Sequence, residues 1–278
     1  MIRIVADTST LYSTLQAKEA GFDVSTLSVT INGQTYLEFD EISAEAFVDI
    51  IHQGHLPVSS QPAIGEVAAL YEKYKEDDII NVAMADGLSG TYRSAVAASE
   101  LAENPDRITV VNTRTLCGPH RYLAETAVRM ARENSSVEEI VKTLQEKMDT
   151  AKSFLVPADF DYLRRGGRLS PLVSYVGQAA GLMPIMTQTE DGCRLAVASV
   201  RRGFNHTMKY VEKALQKHGV GAGWRVYITH AAAPELAQKA MEALKNAFPE
   251  CVFEIYPLSP AFITQGGPGC FAMQVIKE

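Results

Sequence analysis

Residues 78–100 read "DIINVAMADGLSGTYRSAVAASE", and the three parts of this stretch decide the fold class. Residues 78–85 are a short apolar run, the pattern of a strand buried on both faces. Residues 85–92, "ADGLSGTY", gather glycine, serine, threonine and aspartate, the chemistry of a turn leading into a helix. Residues 91–102 then carry helical periodicity. A strand, a polar loop and a helix in that order make half of a parallel βαβ unit.

The alternation continues on both sides. "IRIVA" (2–6) and "RITVVN" (107–112) read as further buried strands, and 43–52, 63–75 and 122–132 as helices. Ser136 and Glu139 form a capping box ahead of another helix. After Asp149 the pattern restarts with "SFLVP" (153–157), the half-exposed strand "GCRLAVASVR" (192–201), "WRVYITH", a helix over 234–248, "CVFEIYPL" and a glycine-rich close. Residues 171–183, "PLVSYVGQAAGLM", are apolar nearly all round, as core or as the wall around a lipid tail would be. The expected organisation is a parallel-sheet α/β domain over 1–150 and a mixed α/β domain over 151–278. No internal repeat or low-complexity tract is present.

Composition narrows the function classes. The 278 residues are 46% hydrophobic and 21% charged, values of a globular protein with room for a substantial core. A net charge of −7 argues against a general binder of nucleic acid or anionic membranes. Four scattered cysteines without a CxxC pair signal neither a zinc cage nor a disulfide framework. No apolar run approaches the ~20 residues that span a bilayer, and the start lacks the features of a signal peptide. A cytoplasmic protein without stable membrane insertion is expected.

Four loops carry polar chemistry: "VSSQP" (58–62), "ADGLSGTY" (85–92), "RRGGRLS" (164–170) and "ITQGGPG" (263–269). In an open parallel sheet, ligands collect beyond the carboxyl ends of strands. The loop at 85–92 fits that place. Pro62 suits a first helical turn, so 58–62 reads as a second helix start, with Ser59 and Ser60 as cap or ligand donors. Helix starts suit an anion or a carbonyl. The three arginines around Gly166 and Gly167 fit a phosphate or partner contact. His52 and His55 lack a third metal ligand nearby, His230 reads as a structural residue, and no GxSxG elbow is present.

Together these motifs resemble the DegV family of bacterial fatty-acid-binding proteins. The matching stretches are "VADTST" at 5–10, "SSQPAIGE" at 59–66, "LSGTYRSA" at 88–95, "FDYLRRGGRLS" at 160–170, "PIM…DG…VR" at 184–201 and "GGPG" at 266–269. They follow the family's order and span nearly the whole chain. The resemblance implies a two-domain DegV-like fold with a long-chain fatty acid or related lipid buried between the domains. It also implies a non-catalytic, cofactor-free carrier in phospholipid metabolism, which presents the head group to a soluble fatty acid kinase subunit for acyl-phosphate formation.

Four positions depart from the family pattern. Ser59 stands where the family has Thr, Ala85 and Asp86 replace two serines, and Gln265 replaces His. Two carboxylates ~4 Å apart repel by roughly 4 kcal/mol at an effective dielectric of about 20, so Asp86 must be protonated or turned away if the ligand is a carboxylate. The expected ligand-binding residues are Ser59, Ser60, Asp86, Ser89, Gly90, Thr91, Gln265 and Gly266, with Ser59 as donor and Ser60 as helix cap. Arg168 and Arg201 are the expected partner or phosphate contacts. No metal ligands are expected. A second reading is a binding protein for a small polar or amine-bearing molecule with Asp86 as counter-charge. A third is an enzyme using Asp86 as general base near Ser89.

Overall fold

The computed structural model describes residues 1–170 and 181–278. The apolar segment 171–183 therefore lies outside the described residues up to residue 180. In chain order the first half contains β1 (Ile2–Asp7), α1 (Thr14–Ala20), β2 (Asp23–Ser25), β3 (Ser28–Ile31), β4 (Gln34–Leu37), α2 (Ala44–His52), β5 (Val58–Ser60) and α3 (Ile64–Lys73). It continues with β6 (Asp78–Ala83), α4 (Thr91–Glu100), β7 (Ile108–Asn112), α5 (Cys117–Arg132) and α6 (Val137–Met148). The second half contains β8 (Lys152–Val156), α7 (Phe160–Gly166), β9 (Leu182–Gln188), β10 (Leu195–Arg202), α8 (Phe204–Lys217) and β11 (Trp224–His230). It closes with α9 (Pro234–Ala247), β12 (Val252–Pro257), α10 (Pro260–Gly266) and β13 (Phe271–Lys277).

The first sheet runs β2-β1-β6-β7 with every neighbour parallel. Strand alternation sends its side chains to two faces. Val5 and Ile79 pack with Val67 and Tyr71 of α3 and Ala95 and Ala98 of α4. Ile4, Ala6, Ile80 and Val82 pack with Leu123 and Ala127 of α5 and Ile140 and Leu144 of α6. Both faces are covered, which is why the strands read as unbroken apolar runs.

The second sheet runs β10-β9-β8-β13-β11-β12 and is mixed, with β11 and β12 parallel and the other pairs antiparallel. Helices α8 and α9 cover one face through Met208, Val211, Leu215, Ala237 and Leu244. Helix α5 joins the two sheets, because its cluster also takes in Tyr227 and Ile276. A small antiparallel sheet, β4-β3-β5, lies beside them. The architecture is α/β with one parallel and one mixed sheet.

Among the differences from the sequence reading, three bear on the site and its approach. Helix α5 begins at Cys117 rather than at 122. The far strand β13 supports this earlier turn: Gly118 N–H donates to Gln274 Oε1 (3.3 Å), and Gln274 Nε2 donates to the Leu116 carbonyl (3.0 Å). A Cβ at Gly118 would lie 2.1 Å from Tyr227 Cγ, so glycine allows the close approach of α5 to the second sheet. Residues 58–60 form β5, paired with β3, and α3 starts later behind Ala63 with no side-chain cap. Ser60 is therefore not a helix cap. Inside the glycine-rich close, residues 260–266 form the helix α10.

Candidate functional site

The site is built at the carboxyl end of the parallel sheet. Asp7, the last residue of β1, is buried and accepts hydrogen bonds from Ser9 N–H (3.0 Å) and Met84 N–H (2.9 Å). It ties the end of β1 to the loop after β6. His120 of α5 completes this floor: its Nε2 donates to the Val82 carbonyl (2.7 Å), and its Nδ1 lies 2.7 Å from Ser9 Oγ. A carbonyl can only accept, so in the neutral ring Nδ1 accepts a hydrogen bond from the Ser9 hydroxyl. These "DTST" residues hold the loop that carries Ser89; they do not line the cavities.

Beyond that floor lies a polar cleft walled by Ser59, Ser60, Gln61, Ser89, Gly90, Arg168, Ala261, Phe262 and Gln265, with Leu27, Met84 and Leu88. Four loops distant in sequence meet here. Gln265 Nε2 donates to Ser59 Oγ (3.1 Å) across 206 positions. Since that bond uses Ser59 as acceptor, its own proton is left to donate elsewhere. Ser89 Oγ and Thr91 Oγ1 bond each other (2.7 Å), and Thr91 N–H donates to Ser89 Oγ (3.3 Å). Gln61 lies over the start of α4 and donates from Nε2 to Ser94 Oγ (2.6 Å). A Cβ at Gly90 would fall 1.7 Å from Gln61 Oε1, so that position has no room for a side chain unless Gln61 moves.

Arg168 is the cation of the cleft. Its Nε donates to the Leu88 carbonyl (3.0 Å) and its Nη1 to the Gly166 carbonyl. Burial pushes its pKa down, with Arg194 adding to the effect. It makes no ion pair among the described residues. Its place is the wall of the cleft, more interior than the surface contact its arginine-rich loop implies.

Other expected site residues are placed elsewhere. Asp86 lines neither this cleft nor the cavity beyond it. Its Oδ1 accepts from Gly87 N–H (2.9 Å) and from Arg93 Nε (2.9 Å). Arg93, in the first turn of α4, thus takes up the carboxylate and turns it aside. Thr91 is buried and reaches the cleft only through Ser89. Arg201 is exposed on β10 with its guanidinium 5.0 Å from the Tyr210 ring centroid, and it lines neither cavity. His230 accepts from Ala233 N–H (3.2 Å), a structural contact. Among the described residues, no group of three or more His, Cys, Asp or Glu is placed to hold a metal ion.

The cleft adjoins an apolar cavity, and Met84, Leu88, Arg168, Phe262 and Gln265 line both. The cavity lies between the sheets. Its walls come from Leu116 and Cys117 at the start of α5, Phe154 and Leu155 of β8, Met186 of β9, Leu195 of β10, Leu258, and Gly266 and Ala272 near the chain's close. Burial raises the Cys117 thiol well above its ordinary pKa, so it behaves as an apolar wall group. Gly266 admits no side chain, since a Cβ there would lie 2.4 Å from Cys270 Sγ.

Helix α10, which brings Phe262 and Gln265 to the site, is anchored by a residue the sequence reading missed. Glu38 is fully buried. It accepts from Thr8 Oγ1 (2.6 Å) and from Ala261 N–H (3.0 Å) at the start of α10. Burial pushes its carboxyl up to about 7, its donors oppose that, and the nearby Asp7 adds to it. The signal is slight: Glu38 is one of three acidic residues in "YLEFDEIS", and nothing in the stretch marks it as buried.

Comparison with known proteins places this geometry. The model of the family described as "Uncharacterised protein, DegV family" matches residues 1–278. A DegV domain-containing protein of Staphylococcus aureus (strain N315) is 28% identical over 281 residues, covering 99% of this chain and 98% of its own. The crystal structure of DegV from Bacillus subtilis, described as a fatty acid binding protein, is 26% identical with a TM-score of 0.88. It covers 100% of this chain and 99% of its own. A Thermotoga maritima protein whose structure is described as revealing fatty acid binding function is also 26% identical, with a TM-score of 0.85 over 100% of this chain and 99% of its own.

Proposed function

The chain belongs to the DegV family, and we propose that it binds a long-chain fatty acid with its tail in the apolar cavity and its carboxylate in the polar cleft. The observation that carries this reading is the junction of the two spaces: the walls shared at Met84, Leu88 and Phe262 lead from hydrocarbon surface directly to Ser59, Arg168 and Gln265. Most of an acyl chain's binding free energy comes from removing its apolar surface from water. Orientation comes from the few polar groups at one end.

Each polar group has a distinct part. Ser59 donates its hydroxyl proton, freed by the bond it accepts from Gln265. Arg168 supplies positive charge from a half-buried position, where a carboxylate would offset the cost of its desolvation. Ser89 and the Gly90 backbone line the opposite wall. Asp86 opposes nothing there, since Arg93 and Gly87 occupy its carboxylate. That arrangement disfavours the amine-binding reading, which needs Asp86 as counter-charge, and the enzymatic one, which needs it as base. The fatty-acid-binding descriptions of relatives at 26% identity support the same ligand class.

The further proposal is presentation of the bound carboxylate to a separate kinase in the cytoplasm, forming acyl phosphate for phospholipid synthesis. Its support is the exposure of the cleft's rim. Ser60 and Gln61 are exposed there, and Leu56 (60%), Val58 (63%) and Ile64 (41%) present apolar surface beside them. No helix among the described residues is long and apolar enough to cross a membrane. Native mass spectrometry of the purified protein, with solvent extraction of what it carries, tests the ligand. A long-chain fatty acid is expected; a small polar or amine ligand would sink the reading.

A further inference from the structure

The apolar cavity has a second polar end. Ser153 of β8 and Thr187 and Gln188 of β9 line it and also line a separate surface cleft with Arg114, Lys152 and Glu190. The head-group cleft and this second cleft share no residue, while each shares residues with the cavity. The apolar cavity therefore borders a polar cleft at each of two separate places.

Hydrogen bonding at the far end leaves capacity unused. Gln274 Nε2 donates to Ser153 Oγ (3.1 Å), so the Ser153 hydroxyl serves as acceptor, and its proton has no acceptor among the described residues. Gln188 Nε2 donates to the Arg114 carbonyl (3.0 Å) and the Gly192 carbonyl (3.4 Å), while its Oε1 accepts no bond among the described residues. Gln274 itself is fully used, since its Oε1 accepts from Gly118 N–H. One donor and one acceptor thus remain beside the tail's end. A methyl terminus lodged there would exclude the water of the surface cleft from both, an arrangement that polar groups disfavour. A hydroxyl is at once donor and acceptor and would satisfy both.

We infer that the far end of the cavity is a polar subsite formed by Ser153 and Gln188, and that it accepts long-chain fatty acids bearing a hydroxyl at the end remote from the carboxylate. This rests on the fatty-acid reading of the same cavity. The test compares each straight-chain acid from dodecanoic to octadecanoic with its ω-hydroxy counterpart, by calorimetry on delipidated protein. At the length that reaches the subsite, the hydroxy acid is expected to bind at least as tightly as the plain one. Ser153→Ala and Gln188→Leu are each expected to weaken the hydroxy acid by about fivefold, the loss of one hydrogen bond, and to weaken the plain acid not at all or to tighten it. Because Gln188 also braces two carbonyls, Ser153→Ala serves as the second, gentler variant. The inference is overturned if the hydroxy acid binds about tenfold more weakly at every length, as a hydroxyl stranded in hydrocarbon would, or if neither substitution discriminates. Binding of the plain acids alone would overturn this inference and spare the fatty-acid reading; binding of neither would overturn both.

Discussion

The two hydroxyl-bearing stretches of the cleft, β5 at Val58–Ser60 and the start of α4 at Ser89–Thr91, look alike in sequence and differ in how their hydroxyls are held. At α4 the partners are local: Ser89 and Thr91 bond each other at 2.7 Å, two residues apart. At β5 the partner of Ser59 is Gln265, delivered by α10 from the far end of the chain. A locally satisfied hydroxyl stabilises its own turn. A hydroxyl that accepts from a distant amide is left with its proton pointed at whatever fills the cleft. Under the proposed function, the difference gives ligand contact to Ser59 and loop support to Ser89.

This contrast breaks most severely if α10 is displaced, and Glu38 is what holds α10. Its carboxyl is raised from an ordinary 4.5 to about 7 in the folded protein, so folding favours its protonated form. The stability it contributes is full below about pH 4.5 and falls as pH rises through 7, by about 3 kcal/mol in total. Urea denaturation of the unloaded protein at pH 5 and pH 8 should show this decline in the parent. In Glu38→Gln the decline should be smaller by that amount; equal declines in both would refute the assignment.

Arg168 provides the next largest effect. Arg168→Met keeps the apolar stem and removes the charge, and fatty acid affinity should fall by roughly 10–100-fold, the worth of charge-assisted hydrogen bonds. The same substitution should leave binding of the corresponding fatty alcohol nearly unchanged. A uniform loss for acid and alcohol would mean that Arg168 shapes the cavity without pairing with the head group.

Ser59→Ala and Ser89→Ala sharpen the contrast directly. Removing the Ser59 hydroxyl should weaken binding by about fivefold to tenfold, with the melting temperature of the unloaded protein unchanged. Removing the Ser89 hydroxyl should cost about 0.5–1 kcal/mol of stability and little affinity. The reverse pattern would exchange their roles. The smallest effect belongs to Asp86→Asn, where titrations should give fatty acid affinity within about twofold of the parent, since its charge is already paired outside the cleft. A large gain in affinity would place Asp86 beside the ligand after all.

Legibility followed the range of the forces involved. Strands β1 and β6 announced themselves because burial on both faces demands mostly apolar residues. The capping box of Ser136 and Glu139 closes within four residues and forms as read. Strand β5 escaped because three residues with two hydroxyls carry no period, and only pairing with β3 makes them a strand. Helix α10 escaped because its seven residues sit among glycines and its start is bonded by Glu38, 223 positions away.

What the chain determines by itself is therefore the local and the periodic: the α/β alternation, the caps, and the family motifs whose order places four polar loops in one protein. Tertiary structure alone decided how each hydroxyl of the cleft is held, that Arg93 turns Asp86 aside, that Arg168 belongs to the wall, and that the apolar cavity borders polar residues at two places. The reason is physical. Apolar periodicity is set by solvent and acts on every residue of an element alike. A hydrogen bond needs two groups within about 3 Å, and here most of the pairs that define the site come together only when the sheets and α10 have packed.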